Sequence, residues 1–130
     1  MGLAEKRLAE EIKTDKLPAF ESKLNDKAGY PIKVNIDWAS FTAFDQYPLS
    51  RLDIVFDDIE GFVKKICQDD MGKEALKEKM STIHLTNTDK REDVKMELAD
   101  STLLLNFQLA GDTFSSFTDS QIADYVEKQL

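Results

Sequence analysis

The clearest pattern along the chain is alternation near its C-terminal end. In the first arm of 94–109, Val94, Met96 and Leu98 alternate with Lys95 and Glu97. In the second, Leu103, Leu105, Phe107 and Leu109 alternate with Leu104, Asn106 and Gln108. A period of two places each set on one side of a pleated strand. Ala99, Asp100 and Ser101 lie between the arms, and such short side chains suit a tight connection. The spacing predicts an antiparallel hairpin with one apolar and one polar face.

Two further runs share this period. Ile32, Val34, Ile36 and Trp38 alternate with Lys33, Asn35 and Asp37. Ile83 and Leu85 alternate with Thr82, His84 and Thr86. Strands over 32–38 and 81–87 are therefore expected. Short links from the second of these into the hairpin predict a three-strand antiparallel meander, with the 32–38 strand beside either edge.

Helical spacing fills the rest. Ala4, Leu8 and Ile12 give a thin stripe over 3–13. Leu17, Phe20, Leu24 and Ala28 give a second, with Thr14 or Asp15 as N-cap, Pro18 in the first turn and Gly29 just past the end; the two stripes fit either separate helices or one kinked rod. The broadest stripe runs over 48–68: Leu52, Val55, Phe56, Ile59, Phe62, Val63, Ile66 and Cys67. Asp70 is the expected cap of a short helix over 71–80. Residues 39–46 read as irregular or one helical turn, and 111–116 as a polar loop. At 118–130, Thr118 and Gln121 form a capping box, and Phe117 with Ile122 a hydrophobic staple. The expected order is α-α-β-α-α-β-β-β-α. That is an α+β fold: a four-stranded, mainly antiparallel sheet with helices packed on one face, spanning 1–130 as one domain.

Charge narrows the function. The 130 residues carry a net charge of −8. Residues 1–30 are balanced, while 31–72 and 73–130 each carry −4. No basic stripe is present to release counterions from a nucleic acid. No apolar run approaches the roughly 18 residues of a membrane span. Cys67 is the single cysteine, so no internal disulfide can form, and a reducing, cytoplasmic setting is expected. One histidine and one cysteine cannot build a common zinc site. The scattered glycines form no phosphate loop, and no cofactor is expected.

Candidate chemistry is sparse. Asp37 could orient His84 if their strands are neighbours, with Ser40 as nucleophile, yet no glycine-flanked serine turn supplies an oxyanion hole. Asp53 and Asp57 share a helix side at i, i+4, a spacing a divalent metal could bridge. Trp38, Phe41, Phe44 and Phe114 could line a small-ligand pocket. The stronger lead is the outward side of the sheet: Lys33, Asn35, Asp37, His84, Lys95, Glu97, Asn106 and Gln108, with Leu104 as its only large apolar residue. A flat hydrogen-bonding surface of mixed charge suits protein recognition. The sequence thus points to a non-enzymatic interaction or inhibitor-like domain, with a basic protein as the partner that its charge permits. A small hydrolase, a metal-dependent enzyme and a small-ligand binder are the alternatives.

Overall fold

The computed structural model describes residues 2–44, 47–111 and 114–130. Asp45 and Gln46 of the irregular 39–46 segment, and Asp112 and Thr113 of the 111–116 loop, lie outside the described residues. The elements are α1 (Leu3–Glu11), a π-helical turn (Ile12–Lys16), α2 (Leu17–Ala28), β1 (Lys33–Ile36), α3 (Trp38–Thr42), α4 (Tyr47–Ser50), α5 (Leu52–Ile66), α6 (Asp70–Lys79), β2 (Thr82–Asn87), β3 (Lys95–Ala99), β4 (Thr102–Phe107) and α7 (Asp119–Gln129). A 3₁₀ turn at Arg91–Asp93 joins β2 to β3.

The fold is α+β with a four-stranded sheet, but the sheet is mixed rather than mainly antiparallel. Its order is β1-β2-β4-β3. The first two pairings are parallel, and only the β3–β4 hairpin is antiparallel. The meander is therefore corrected: β4 inserts between β2 and β3. The 88–94 link makes this possible. Seven residues reach well over the ~10 Å width of one skipped strand. The hairpin turn is the expected tight one, with Asp100 at φ 52° and Ser101 at φ 63°. Both residues left-handed is the geometry that matches strand twist in two-residue hairpins.

Alternation holds through the whole sheet. Val34, Ile83, Leu103 and Leu98 form one inward row, and Ile36, Leu85, Leu105 and Met96 the next. The β1, β2 and β4 members are buried, and the edge residues Met96 and Leu98 are half-buried against the same core. The α5 stripe Leu52, Val55, Phe56, Ile59, Phe62, Val63 and Ile66 is buried in that core, with Phe20 stacked on Phe56 at 4.2 Å.

Helix boundaries differ from expectation in three places. The first two helices form one continuous rod, and neither Thr14 nor Asp15 caps a new one. Leu17 N–H donates to Ile12 O, five residues back, across the π turn. Pro18 explains the wide turn: it brings no N–H to Thr14 O and its ring crowds that carbonyl. The 48–68 stripe is interrupted at Arg51, which separates α4 from α5. The cap of α6 is Asp69 rather than Asp70; its carboxylate accepts from Gly72 N–H at 2.7 Å. At α7 the capping box is complete: Gln121 N–H donates to Thr118 Oγ1 at 3.2 Å, and Thr118 N–H to Gln121 Oε1 at 2.9 Å.

Gly61 lets α7 approach α5. A Cβ there would stand 2.8 Å from Asp119 Cβ and 2.7 Å from its Oδ2. A glycine that costs about 1 kcal/mol in helix propensity is kept because the helices meet there.

Candidate functional site

The pairing register gathers the outward residues into rows. Asn35, His84, Leu104 and Glu97 lie side by side across all four strands. Lys33, Thr82, Thr102 and Ala99 form the row before it, and Thr86, Asn106 and Lys95 the row after. Asp37 follows β1 as the residue preceding α3, and Gln108 follows β4. Lys33, Asn35, Asp37, Lys95 and Glu97 are exposed, and His84, Leu104, Asn106 and Gln108 are half-buried. None is sealed, as expected for a sheet face without a helix over it.

Not all of these side chains are free to recognise a ligand. Asn106 accepts from Thr86 Oγ1 at 2.6 Å and donates to Asp93 O at 2.8 Å. Gln108 accepts from Arg91 Nε at 3.4 Å and donates to Ala110 O at 3.3 Å. Both fasten the 88–94 link to the sheet. Lys95 and Glu97 stand 3.9 Å apart on β3. Of the candidate outward residues, Lys33, Asn35, Asp37, His84 and Leu104 have side chains without such ties.

The hydrolase arrangement does not assemble. His84 stands opposite Asn35, while Asp37 is two residues further along and donates its N–H to Leu85 O. No hydrogen bond joins His84 to Asp37 or Ser40. The Ser40 hydroxyl donates to Asp37 O at 2.7 Å and accepts from Asn87 N–H at 3.0 Å. It is a structural link, not a group poised beside a base.

The carboxylate pair fares similarly. Asp53 meets Lys16 at 3.4 Å. Among the described residues, no three Asp, Glu, His or Cys side chains converge as metal ligands would. The four aromatic residues offered for a pocket differ in burial. Phe41 is fully buried, Trp38 packs half-buried under Lys13 Nζ at 5.0 Å, and Phe44 and Phe114 are exposed. The Phe114 ring stacks on Arg51 at 4.8 Å, and Tyr47 lies 4.5 Å from the same guanidinium. Arg51 also donates to Leu109 O and Gly111 O, each at 2.7 Å, and so clamps the chain leaving β4.

Two features were not anticipated. Asn87 is the one buried polar residue among those described. Its Nδ2 donates to Ser40 O at 2.9 Å and its Oδ1 accepts from Leu109 N–H at 2.8 Å, tying α3 and the end of β4 to β2. The second is a cleft of about 610 Å³ lined by Lys27, Gly61, Lys64, Lys65, Cys67, Gln68, Lys73 and Asp119. Burial pushes the Cys67 thiol above its ordinary range; Lys73 opposes this and Asp69 adds to it. A raised thiol is a poor nucleophile.

Next to this cleft, Asp58 is raised chiefly by burial; the Asp119 N–H opposes this, and the Asp119 and Asp57 carboxylates add to it. The folded chain therefore holds this proton more tightly than the unfolded chain. Charged Asp58 costs stability above the ordinary carboxylate range, and that cost vanishes below it. Asp58→Asn keeps an acceptor for Asp119 N–H and removes the charge. It is expected to raise Tm at pH 7 and to give no gain below about pH 3.9. Paired melts at the two pH values check this, and an equal gain at both would refute the electrostatic cause.

No helix among the described residues is long and apolar enough to cross a membrane. No family model, curated protein or solved structure matches this chain.

Proposed function

We propose that this protein is a non-enzymatic recognition domain that docks a basic protein on the open face of its sheet. The carrying observation is the unsealed row Asn35–His84–Leu104–Glu97, flanked by threonines and lysines, on a sheet whose other side is packed shut.

The sheet edges are poor alternatives for docking. On β1, Val34 N–H donates to Glu21 Oε2 at 3.3 Å, and just before it Ile32 N–H donates to Asn25 Oδ1 at 2.8 Å. On β3, Leu98 N–H donates to Tyr125 OH at 3.0 Å. Helix side chains thus occupy donors that an added strand would need. The face covers roughly 300 Å² from strand spacing and rise. A stable complex uses about 800 Å² per partner, so the footprint extends over the charged 88–94 rim.

Partner charge is set by the whole chain. The face is balanced, with Lys33 and Lys95 against Asp37 and Glu97, whereas the chain carries −8. Long-range attraction then steers a basic partner to the molecule, and hydrogen bonds around Leu104 hold it. The test is a pull-down from the source cell at low and high salt with wild type and Leu104→Glu. Leu104 is half-buried on the outward side, so the change leaves the core intact. Expected is one basic protein retained by wild type, lost as salt rises, and lost by Leu104→Glu at low salt. Equal retention of that protein by the variant overturns the proposal.

A further inference from the structure

The lysine-lined cleft is independent of the sheet face. Lys27 comes from α2, Lys64 and Lys65 from α5, and Lys73 from α6. Four of the 17 basic residues of an acidic chain therefore line one concavity. Lys27 meets Glu60 at 3.6 Å; among the described residues Lys64, Lys65 and Lys73 make no ion pair, which leaves their charges available to a ligand. The one acid on the wall is Asp119, whose Oδ1 already accepts from Ser120 N–H at 2.7 Å in its own helix turn.

Helix ends explain part of this. Lys27, Lys64 and Lys65 lie in the last turns of their helices, where cations offset the helix dipole. Lys73 lies near the start of α6, where the dipole disfavours a cation. The dipole does not place it against the other three, and an anion held between them would account for the convergence.

We infer that this cleft binds a compact phosphate-bearing small molecule. Lysine ammoniums are point charges that suit phosphate oxygens approached from several sides, whereas planar carboxylate recognition favours the arginine fork. The volume lies in the range of small-molecule sites. An extended polyanion would run beyond the cleft onto a surface of net negative charge, within about one Debye length of repelling groups. The field thus selects for a short ligand. The Gln68 amide adds a hydrogen-bonding group to the wall.

The test is calorimetric titration of the full chain with sodium tripolyphosphate at fixed ionic strength. Expected is saturable one-to-one binding. The triple variant Lys64→Gln, Lys65→Gln, Lys73→Gln should weaken it at least tenfold. A control with the same charge change, Lys6→Gln, Lys90→Gln, Lys128→Gln, removes exposed lysines away from the cleft and should leave affinity within twofold. Melts without ligand verify that both variants fold, and if the cleft variant does not, Lys73→Gln alone is titrated with a threefold loss expected. Absence of saturable binding to wild type overturns the inference, and so does equal weakening by cleft and control variants.

Discussion

Gly72→Ala is expected to lower stability by about 3 kcal/mol, the size of a severe overpacking change. A Cβ at this position would stand 1.7 Å from Ile66 O and 2.9 Å from Ile66 C. The obstruction is backbone, so no rotamer change relieves it. Gly72 sits in the first turn of α6 and donates to the Asp69 cap at 2.7 Å. Between Ile66 and Asp70 only three residues reverse the chain, so the first turn of α6 is pressed beneath the last carbonyl of α5. Making room separates the two helices and pulls Gly72 N–H from Asp69, a cap contact worth about 1 kcal/mol.

Ordinary helix propensity argues the other way. Alanine exceeds glycine by about 1 kcal/mol inside an exposed helix. The sign of the measured change therefore decides between local preference and tertiary contact. For a chain of this length, 3 kcal/mol corresponds to a fall in Tm of roughly 10 °C. Thermal and urea unfolding of Gly72→Ala measure it. A variant as stable as wild type, or more so, would contradict the close approach of α5 and α6.

Much of this architecture was legible, and the part that was not has a physical reason. Alternation assigns each strand residue to a side, because the pleat leaves no other choice. It says nothing about which strand lies next to which. The meander followed from short connections, yet the 88–94 link is long enough to step over a strand. A better signal was present in the outward residues. Lys33 on β1 and Lys95 and Glu97 on β3 are charged, while β2 and β4 offer Thr82, His84, Thr86, Thr102, Leu104 and Asn106. Charges mark edges, where they also discourage sheet-to-sheet association. With β3 and β4 fixed as a hairpin, uncharged β2 and β4 had to be the central pair, giving the observed order.

The sites follow the same division. Outward residues of one sheet are readable from parity, so the sheet face could be drawn up in advance. The cleft could not, since Lys27, Lys64 and Lys73 lie far apart in sequence and meet only through the packing of α2, α5 and α6. The Ser40 hydroxyl illustrates a third case. Its neighbours in sequence suggested a nucleophile, whereas the hydrogen bond to Asn87 N–H depends on where α3 lands against β2.

Asn87→Ala is the other change with a large expected effect, about 3–4 kcal/mol of stability. Asn87 continues the inward parity of Ile83 and Leu85, so its polar side chain enters the core at 5% exposure. That parity made it detectable: an inward asparagine must find partners inside. It finds Leu109 N–H at 2.8 Å and Ser40 O at 2.9 Å. Alanine strands the buried Leu109 N–H and the part-buried Ser40 O, at about 1–3 kcal/mol each, and leaves a small void. Asn87→Asp separates the two bonds. Its carboxylate still accepts from Leu109 N–H but cannot donate to Ser40 O, and the charge is buried. Protonation restores a donor, so the folded variant binds a proton more tightly than its unfolded chain. Its stability deficit against wild type should then shrink as pH falls toward 4 and be largest near pH 7. Unfolding of wild type, Asn87→Ala and Asn87→Asp across this range measures both effects. A deficit for Asn87→Asp that does not change with pH, or a loss under 1 kcal/mol for Asn87→Ala, would show that this network does not hold α3 and the end of β4 to β2.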